Sequence, residues 1–238
     1  ASITERRLLN WGVPRHKLVR IPIGVDCNLF RPVCPDVRAA ARARYGIKPD
    51  HLVIGSFQKD GVGWGDGSEP KLIKGPDVLL DVIGRVAKER PAFVLLTGPA
   101  RGYVARGLER LGVPYAHDYV EDYFELAERY PALDVYLNCS REEGGPKGII
   151  EAMAAGVPVI ASDIPGNRAV IEPGLHGLLV PPRDVASLSQ AIVDSLAQPL
   201  AAADRAANGR SRVEHEFSLD HMAHRHLELF REVIAKRG

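Results

Sequence analysis

Short apolar runs alternate along this chain with longer stretches whose apolar positions recur at helical spacing. Leu52 to Phe57 (LVIGSF), Ala92 to Thr97 (FVLLT at its centre) and Asp134 to Cys139 are nearly unbroken by polar residues, as strands buried on both faces must be. Leu18 to Ile21, part of Val113 to Tyr119, Val157 to Ala161 and Gly177 to Val180 are shorter strand candidates. Helices are predicted over Ser2 to Trp11 (Thr4 or Ser2 as cap), Asp36 to Tyr45, Pro76 to about Lys88, Tyr103 to Leu111 and Asp122 to Tyr130. Gly148 to Ala155, Asp184 to Leu196, and two helices after Leu200 with Asp220 or Ser218 between them complete the set. Val78, Leu79, Val82, Ile83 and Val86 form a sheet-facing stripe. This β-α alternation predicts an α/β fold, a Rossmann-like parallel sheet of about six strands with helices on both faces.

Composition narrows the function classes only a little. The 238 residues are 45% hydrophobic and 26% charged, with a net charge of +1, so no nucleic-acid partner and no general attraction to anionic membranes is implied. Cys27, Cys34 and Cys139 lack metal-ligand spacing, and no apolar run suggests a transmembrane segment. A cytoplasmic protein with reduced thiols is expected. His215, His221, His224 and His226 lack a zincin motif and read as a solvated helix.

The chemistry concentrates in DVYLNCSREEGGPKGIIEAMAAGVPVIAS, Asp134 to Ser162. A polar loop, Ser140 to Lys147, leaves a strand's carboxyl end and feeds a helix N-terminus, where free N–H groups and the helix dipole favour an anion. Glu143 and Glu151 bracket that position, and Gly144, Gly145 and Gly148 let a ligand approach the backbone. Carboxylates repel phosphate but accept hydrogen bonds from hydroxyls. A nucleotide sugar, with phosphates in its middle and polyols at both ends, fits. The plainer readings are a first-turn (N3) glutamate at Glu151 and a solvated loop acid at Glu143, beside Glu142. Gln58 to Lys74 forms a long glycine-rich loop, which in a compact domain is usually functional or disordered.

The segment SREEGGPKGIIEAMAAGVPVIAS resembles the signature of retaining family-4 glycosyltransferases of the GT-B fold: Glu, seven residues, Glu, then Ala-Met-Ala-x-Gly-x-Pro-Val. IPIGVDCNLFRP (Ile21 to Pro32), the Lys74-Gly75 pair and HGLLVPPRD (His176 to Asp184) are similar to family stretches too. The resemblance covers nearly the whole chain, but only the second, donor-binding half of such an enzyme. It implies transfer of a sugar from a nucleotide diphosphate sugar to an acceptor hydroxyl, with retention of configuration. Glu143 would then bind hydroxyls of the transferred sugar and Glu151 the ribose. Lys74, with Gly144, Gly145, Lys147, Gly148 and Ile149, would meet the diphosphate. Relatives carry Gly-Arg after the first strand; this chain has Gly55 followed by Ser56, so Lys59 or Gln58 is the candidate substitute. Arg101 is a further phosphate candidate, Tyr115 and His117 are possible neighbours of the base, and Ser162 and Asp163 possible neighbours of the cleft. Ala169 stands where relatives often have glutamate.

No cofactor is implied, since the donor is a substrate, and no metal, since no Asp-x-Asp motif occurs. The resemblance divides the chain into a leading helix and interdomain crossover (1–32), a nucleotide-sugar domain (33–218) and a C-terminal helix (219–238). That helix is expected to pack on an N-terminal domain, absent here, that binds most of the acceptor. The alternatives are a non-catalytic nucleotide-binding module and a GT-B nucleotide-sugar epimerase. A dehydrogenase is disfavoured, because GSFQKDG lacks the Gly-x-Gly-x-x-Gly spacing.

Overall fold

The three long apolar runs become β1 (Leu52–Phe57), β2 (Ala92–Thr97) and β4 (Val135–Asn138) in a computed structural model that describes residues 2–236, with side chains from Thr4 onward. The Ser2 cap therefore lies outside the described side chains. With β3 (Tyr115–His117), β5 (Val159–Ser162) and β6 (Leu178–Val180) these strands form one parallel sheet in the order β3-β2-β1-β4-β5-β6. The order reverses between β1 and β4, and ligands of such sheets bind at the carboxyl end of that switch point.

Alternation along each strand sends side chains to two cores. Val53 and Phe57, with Leu95 and Tyr136, face α6 (Lys147–Ala154) and α9 (Pro199–Glu216). Leu52 and Ile54, with Val94, Leu96 and Leu137, face α3 (Pro76–Val86), α4 (Gly102–Leu111) and α8 (Val185–Ala197). The predicted stripe on α3 is buried throughout, each side chain contributing about 1.5–3 kcal/mol of burial. Gly55 sits mid-strand in β1, and a Cβ there would overlap the Leu133 side chain. It is a packing position, not the ligand neighbour expected.

Several expectations are corrected. Leu18 to Ile21 forms no strand, because no neighbouring chain pairs with it; only Val25 bridges to Ser218. The Asp122–Tyr130 helix is one α-turn, α5 (Tyr123–Leu126), that tightens to 3₁₀ geometry over Ala127–Ala132, where Pro131 cannot supply an N–H. The turn after β5 contains a one-turn helix, α7 (Pro165–Arg168). Ser218, not Asp220, caps α10 (Leu219–Ala235), accepting from His221 N. Leu227, Phe230 and Ile234 of α10 are exposed. The leading helix α1 (Ser2–Asn10) and α2 (Pro35–Ala43) lie near the expected bounds.

The glycine-rich loop is an ordered hairpin. Gly61 pairs with Pro70, and Val62 N–H and Lys71 N–H donate to Glu69 O and Asp60 O at 2.9 and 2.7 Å. The carbonyls of Asp66 and Gly67 accept from Gly102 N–H and Tyr103 N–H at 2.6 and 2.8 Å, so the hairpin caps α4. Gly67 has φ +76°, and a Cβ there would overlap the Ala100 backbone. Beneath it Arg101, fully buried, places Nε 2.9 Å from Asp60 Oδ1. Its Nη1 donates to the carbonyls of Ser56, Gln58 and Thr97 at 2.5, 2.9 and 2.9 Å. Arg101 thus joins the ends of β1 and β2 and is unavailable as the phosphate ligand considered above. Burial pushes the Asp60 carboxyl up, against the pull of Arg101. Asp60→Ala strands a buried guanidinium, and urea unfolding is expected to show a loss of about 3–5 kcal/mol.

Candidate active site

The site grows from the carboxyl end of β4. Leu72–Lys74 makes a 3₁₀ turn ended by Gly75 at φ +66°, where any Cβ would overlap the Cys139 carbonyl oxygen. Only glycine lets the two loops pass this closely. Arg141 fastens them: its N–H donates to Ile73 O at 2.8 Å, and its guanidinium reaches Leu72 O at 2.6 Å and the Asp77 carboxylate. Lys74 Nζ is thereby brought 2.7 and 2.8 Å from the two carboxylate oxygens of Glu143. Ser140 Oγ donates to Glu143 Oε1 at 2.7 Å. Gln58, at the end of β1, donates from Nε2 to Lys74 O at 3.1 Å. Behind Glu143, Gly166 of α7 admits its backbone with no room for a Cβ. Glu143 is buried and Lys74 half-buried, so Glu143 is not the solvated loop acid of the plainer reading.

Glu151 is fixed differently. It is the fifth residue of α6, not the third, and is 3% exposed. Tyr123 Oη donates to Oε1 at 2.9 Å and Tyr130 Oη to Oε2 at 2.7 Å. Lys147 Nζ lies 3.7 Å from Oε1 and 3.6 Å from the Tyr123 ring centroid. Burial pushes the Glu151 carboxyl up, and the two phenols and Lys147 pull it back. Tyr136, between the acids, donates to Phe57 O at 3.1 Å; burial, then Glu151 and Glu143, push its phenol up.

The glycines divide by role. Gly144 and Gly145 are exposed, with no backbone near their missing Cβ atoms, and form one wall of a cavity of about 500 Å³ bounded by Leu18, Val19, Ile21 and Ile23. Gly148 is a packing glycine, because a Cβ there would overlap Tyr136 Oη. The amides of Lys147 and Ile149 already donate to Gly145 O and Pro146 O, at 2.8 and 3.0 Å, and the Ile149 side chain lies in the core. Ile149 is therefore not an open diphosphate donor. Lys59 is also elsewhere: its Nζ stacks 3.5 Å from the Trp64 ring on the exposed hairpin. Tyr115 Oη turns to Glu109, and His117 Nε2 is 2.8 Å from Gly98 O. Asp163 pairs with Arg168 at the rim. Sequence reasoning missed Tyr123, Tyr130, Ser140 and Arg141. The two tyrosines, seven residues apart on one predicted helical face, were the available signal. Among the described residues no group of three His, Cys, Asp or Glu is placed to hold a metal ion.

A six-stranded parallel sheet with helices on both faces is the architecture of a GT-B type of transferase domain, and the comparisons agree on the family. The family described as glycosyl transferases group 1 matches residues 67–198, and the chain belongs to it. It is 29% identical over 86% of its length to the GDP-mannose-dependent monoacylated alpha-(1-6)-phosphatidylinositol monomannoside mannosyltransferase of Corynebacterium glutamicum, covering 54% of that relative. Sucrose-phosphate synthase from Thermosynechococcus elongatus superposes with a TM-score of 0.79 and 28% identity, over 98% of this chain and 57% of that one. Anabaena HepE, crystallised with UDP and glucose, gives 0.82 and 20% identity, over 97% and 61%, a likeness of fold. The sheet is thus the Rossmann-like, C-terminal-type half of a GT-B glycosyltransferase fold. The chain spans about half the length of the curated relatives it matches.

Packing and charge at the site each make a prediction. Gly148→Ala raises helix propensity by up to about 1 kcal/mol, yet overlap with the buried Tyr136 hydroxyl costs about 1–3 kcal/mol. Chemical denaturation should therefore show a net loss, reduced when Tyr136→Phe is added. An NMR titration of the Glu151 carboxyl should give a midpoint above its ordinary 4.5, moving further up in Tyr130→Phe, which removes a donor to the charged form. A raised folded value means this group's contribution to stability is complete below about pH 4.5 and is lost as pH rises through the folded midpoint.

Proposed function

We propose that the chain is the donor-binding part of a retaining glycosyltransferase, which moves a sugar from a nucleotide diphosphate sugar to an acceptor hydroxyl. One observation carries this reading: two buried carboxylates, Glu143 and Glu151, flank the N-terminal end of α6 at the switch point, and Lys74 is hydrogen-bonded to the first. In this reading Glu143 accepts hydrogen bonds from hydroxyls of the transferred sugar. Lys74 turns from Glu143 toward the leaving diphosphate, whose negative charge grows as the glycosidic bond breaks. A group that meets that developing charge lowers the barrier rather than merely tightening binding. Gly144 and Gly145 let the sugar and phosphates lie against the backbone, Lys147 adds a second ammonium, and Glu151 holds the ribose.

The acceptor would be bound mainly by a further domain, toward which we assign the exposed apolar face of α10. The mannosyltransferase relative uses GDP-mannose and HepE was crystallised with UDP, so either base is a fair starting point. No helix among the described residues is long and apolar enough to cross a membrane.

Thermal unfolding with GDP, UDP and ADP tests the reading. A nucleotide at about 100 times its dissociation constant adds roughly 2.7 kcal/mol, an increase of about 5–10 °C for a domain of this size. One nucleotide should give that increase. In Lys74→Ala, measured against its own ligand-free midpoint, the increase should vanish. An undiminished increase in that variant overturns the assignment of Lys74, and no increase with any nucleotide overturns the donor reading for this chain.

A further inference from the structure

The surroundings of Glu151 hold more information than its charge. A glutamate's terminal torsion is broad, so an unassisted carboxylate would sample many orientations. Here two phenols, one on each oxygen, remove that freedom. The phenols are themselves pinned. Tyr130 is fully buried, with its ring edge-on to Phe57 at 4.8 Å and to Phe30 at 5.5 Å. Tyr123 packs on Phe30 at 5.4 Å, and Lys147 covers its ring at 3.6 Å. At 3.7 Å from Oε1, Lys147 Nζ is beyond hydrogen-bond distance and does not use that oxygen's acceptor capacity. Burial and the nearby Glu151 charge keep both phenols protonated, so they stay donors.

An ionised carboxylate offers about two acceptor directions on each oxygen. One direction per oxygen is taken by a phenol, and a neutral donor takes it without cancelling the charge. By that count each oxygen keeps about one further acceptor direction, and the two phenols hold the carboxylate that carries them. We infer that Tyr123 and Tyr130 act as positioning residues that make Glu151 a reader of two adjacent hydroxyls, so that the site selects the 2′,3′-diol of a ribonucleotide over a deoxyribonucleotide. The inference rests on the assignment of Glu151 to the ribose made above. It adds the residues that set sugar selectivity in the nucleoside.

Calorimetric titration of the chain with GDP, UDP and ADP, each paired with its 2′-deoxy form, tests this in four proteins: wild type, Tyr123→Phe, Tyr130→Phe and Glu151→Gln. Losing one hydrogen bond to a charged group is expected to give the wild type a ribo-over-deoxy preference of about tenfold or more. In Tyr123→Phe, where the ring and its packing remain, that preference should fall to about threefold or less. Tyr130→Phe should lower it in the same way from the other oxygen, and Glu151→Gln should abolish it. A preference unchanged in both tyrosine variants but lost in Glu151→Gln overturns the positioning role and leaves the ribose assignment standing. A preference absent from the wild type, or unchanged in Glu151→Gln, overturns the ribose assignment and this inference with it. Failure of the wild type to bind any of the three ribonucleotides overturns both as well.

Discussion

A carboxylate withdrawn from water must have its charge met, and two such groups stand at the carboxyl edge of this sheet. Much of the local architecture answers that demand. Glu143 is met by an ammonium and a serine hydroxyl, Glu151 by two phenols. To deliver the ammonium, the turn before α3 must pass over the Cys139 carbonyl, which requires Gly75 in a left-handed conformation. To deliver the phenols, the segment before β4 must pack its aromatic rings under α6, and Gly148 must leave room for Tyr136. The glycines of the motif therefore serve two ends: Gly144 and Gly145 leave open space, while Gly75, Gly148 and Gly166 permit close contact.

The two acids are met by different donors, Glu143 directly by an ammonium and Glu151 by two neutral phenols with Lys147 farther off at 3.7 Å. A lysine partner is mobile and can be shared with, or lost to, an incoming anion. Neutral phenols seated in an aromatic core cannot leave, and they do not reduce the charge they hold. In the reading proposed above, this suits Glu143 to a partnership that changes during a reaction and Glu151 to steady recognition.

How much of this was legible in the sequence depended on the range of the forces involved. β1 and β2 have the bounds read from their apolar runs, because a strand buried on both faces declares itself locally. The loop–helix unit from Ser140 to Ala154 was legible for the same reason, since caps, glycines and periodicity act over one or two turns. Leu18 to Ile21 has strand-like residues but no pairing neighbour, and a strand without a ladder cannot be told apart from its composition. Arg101 and Lys59 looked like phosphate ligands because each follows a strand at the ligand edge. Whether such a side chain points outward depends on remote partners, here the buried Asp60 and the ring of Trp64. The spacing of Tyr123 and Tyr130 put both phenols on one face, but that this face meets Glu151, 21 and 28 residues further along the chain, depends on tertiary packing that no local pattern declares.

The capping of α4 by the carbonyls of Asp66 and Gly67 carries a consequence for ligand orientation. A helix start beside the end of β2 is a natural resting place for a negative group, in competition with the one at α6. Filling it with the protein's own backbone dipoles removes that competitor and leaves carbonyl oxygens, repellent to anions, in its place. For the ligand proposed above, with its charged centre, that would leave one fewer way to lie across the sheet. On the donor-binding reading proposed above, the hairpin would act on a substrate from a distance, by occupying a helix start with backbone rather than by contact.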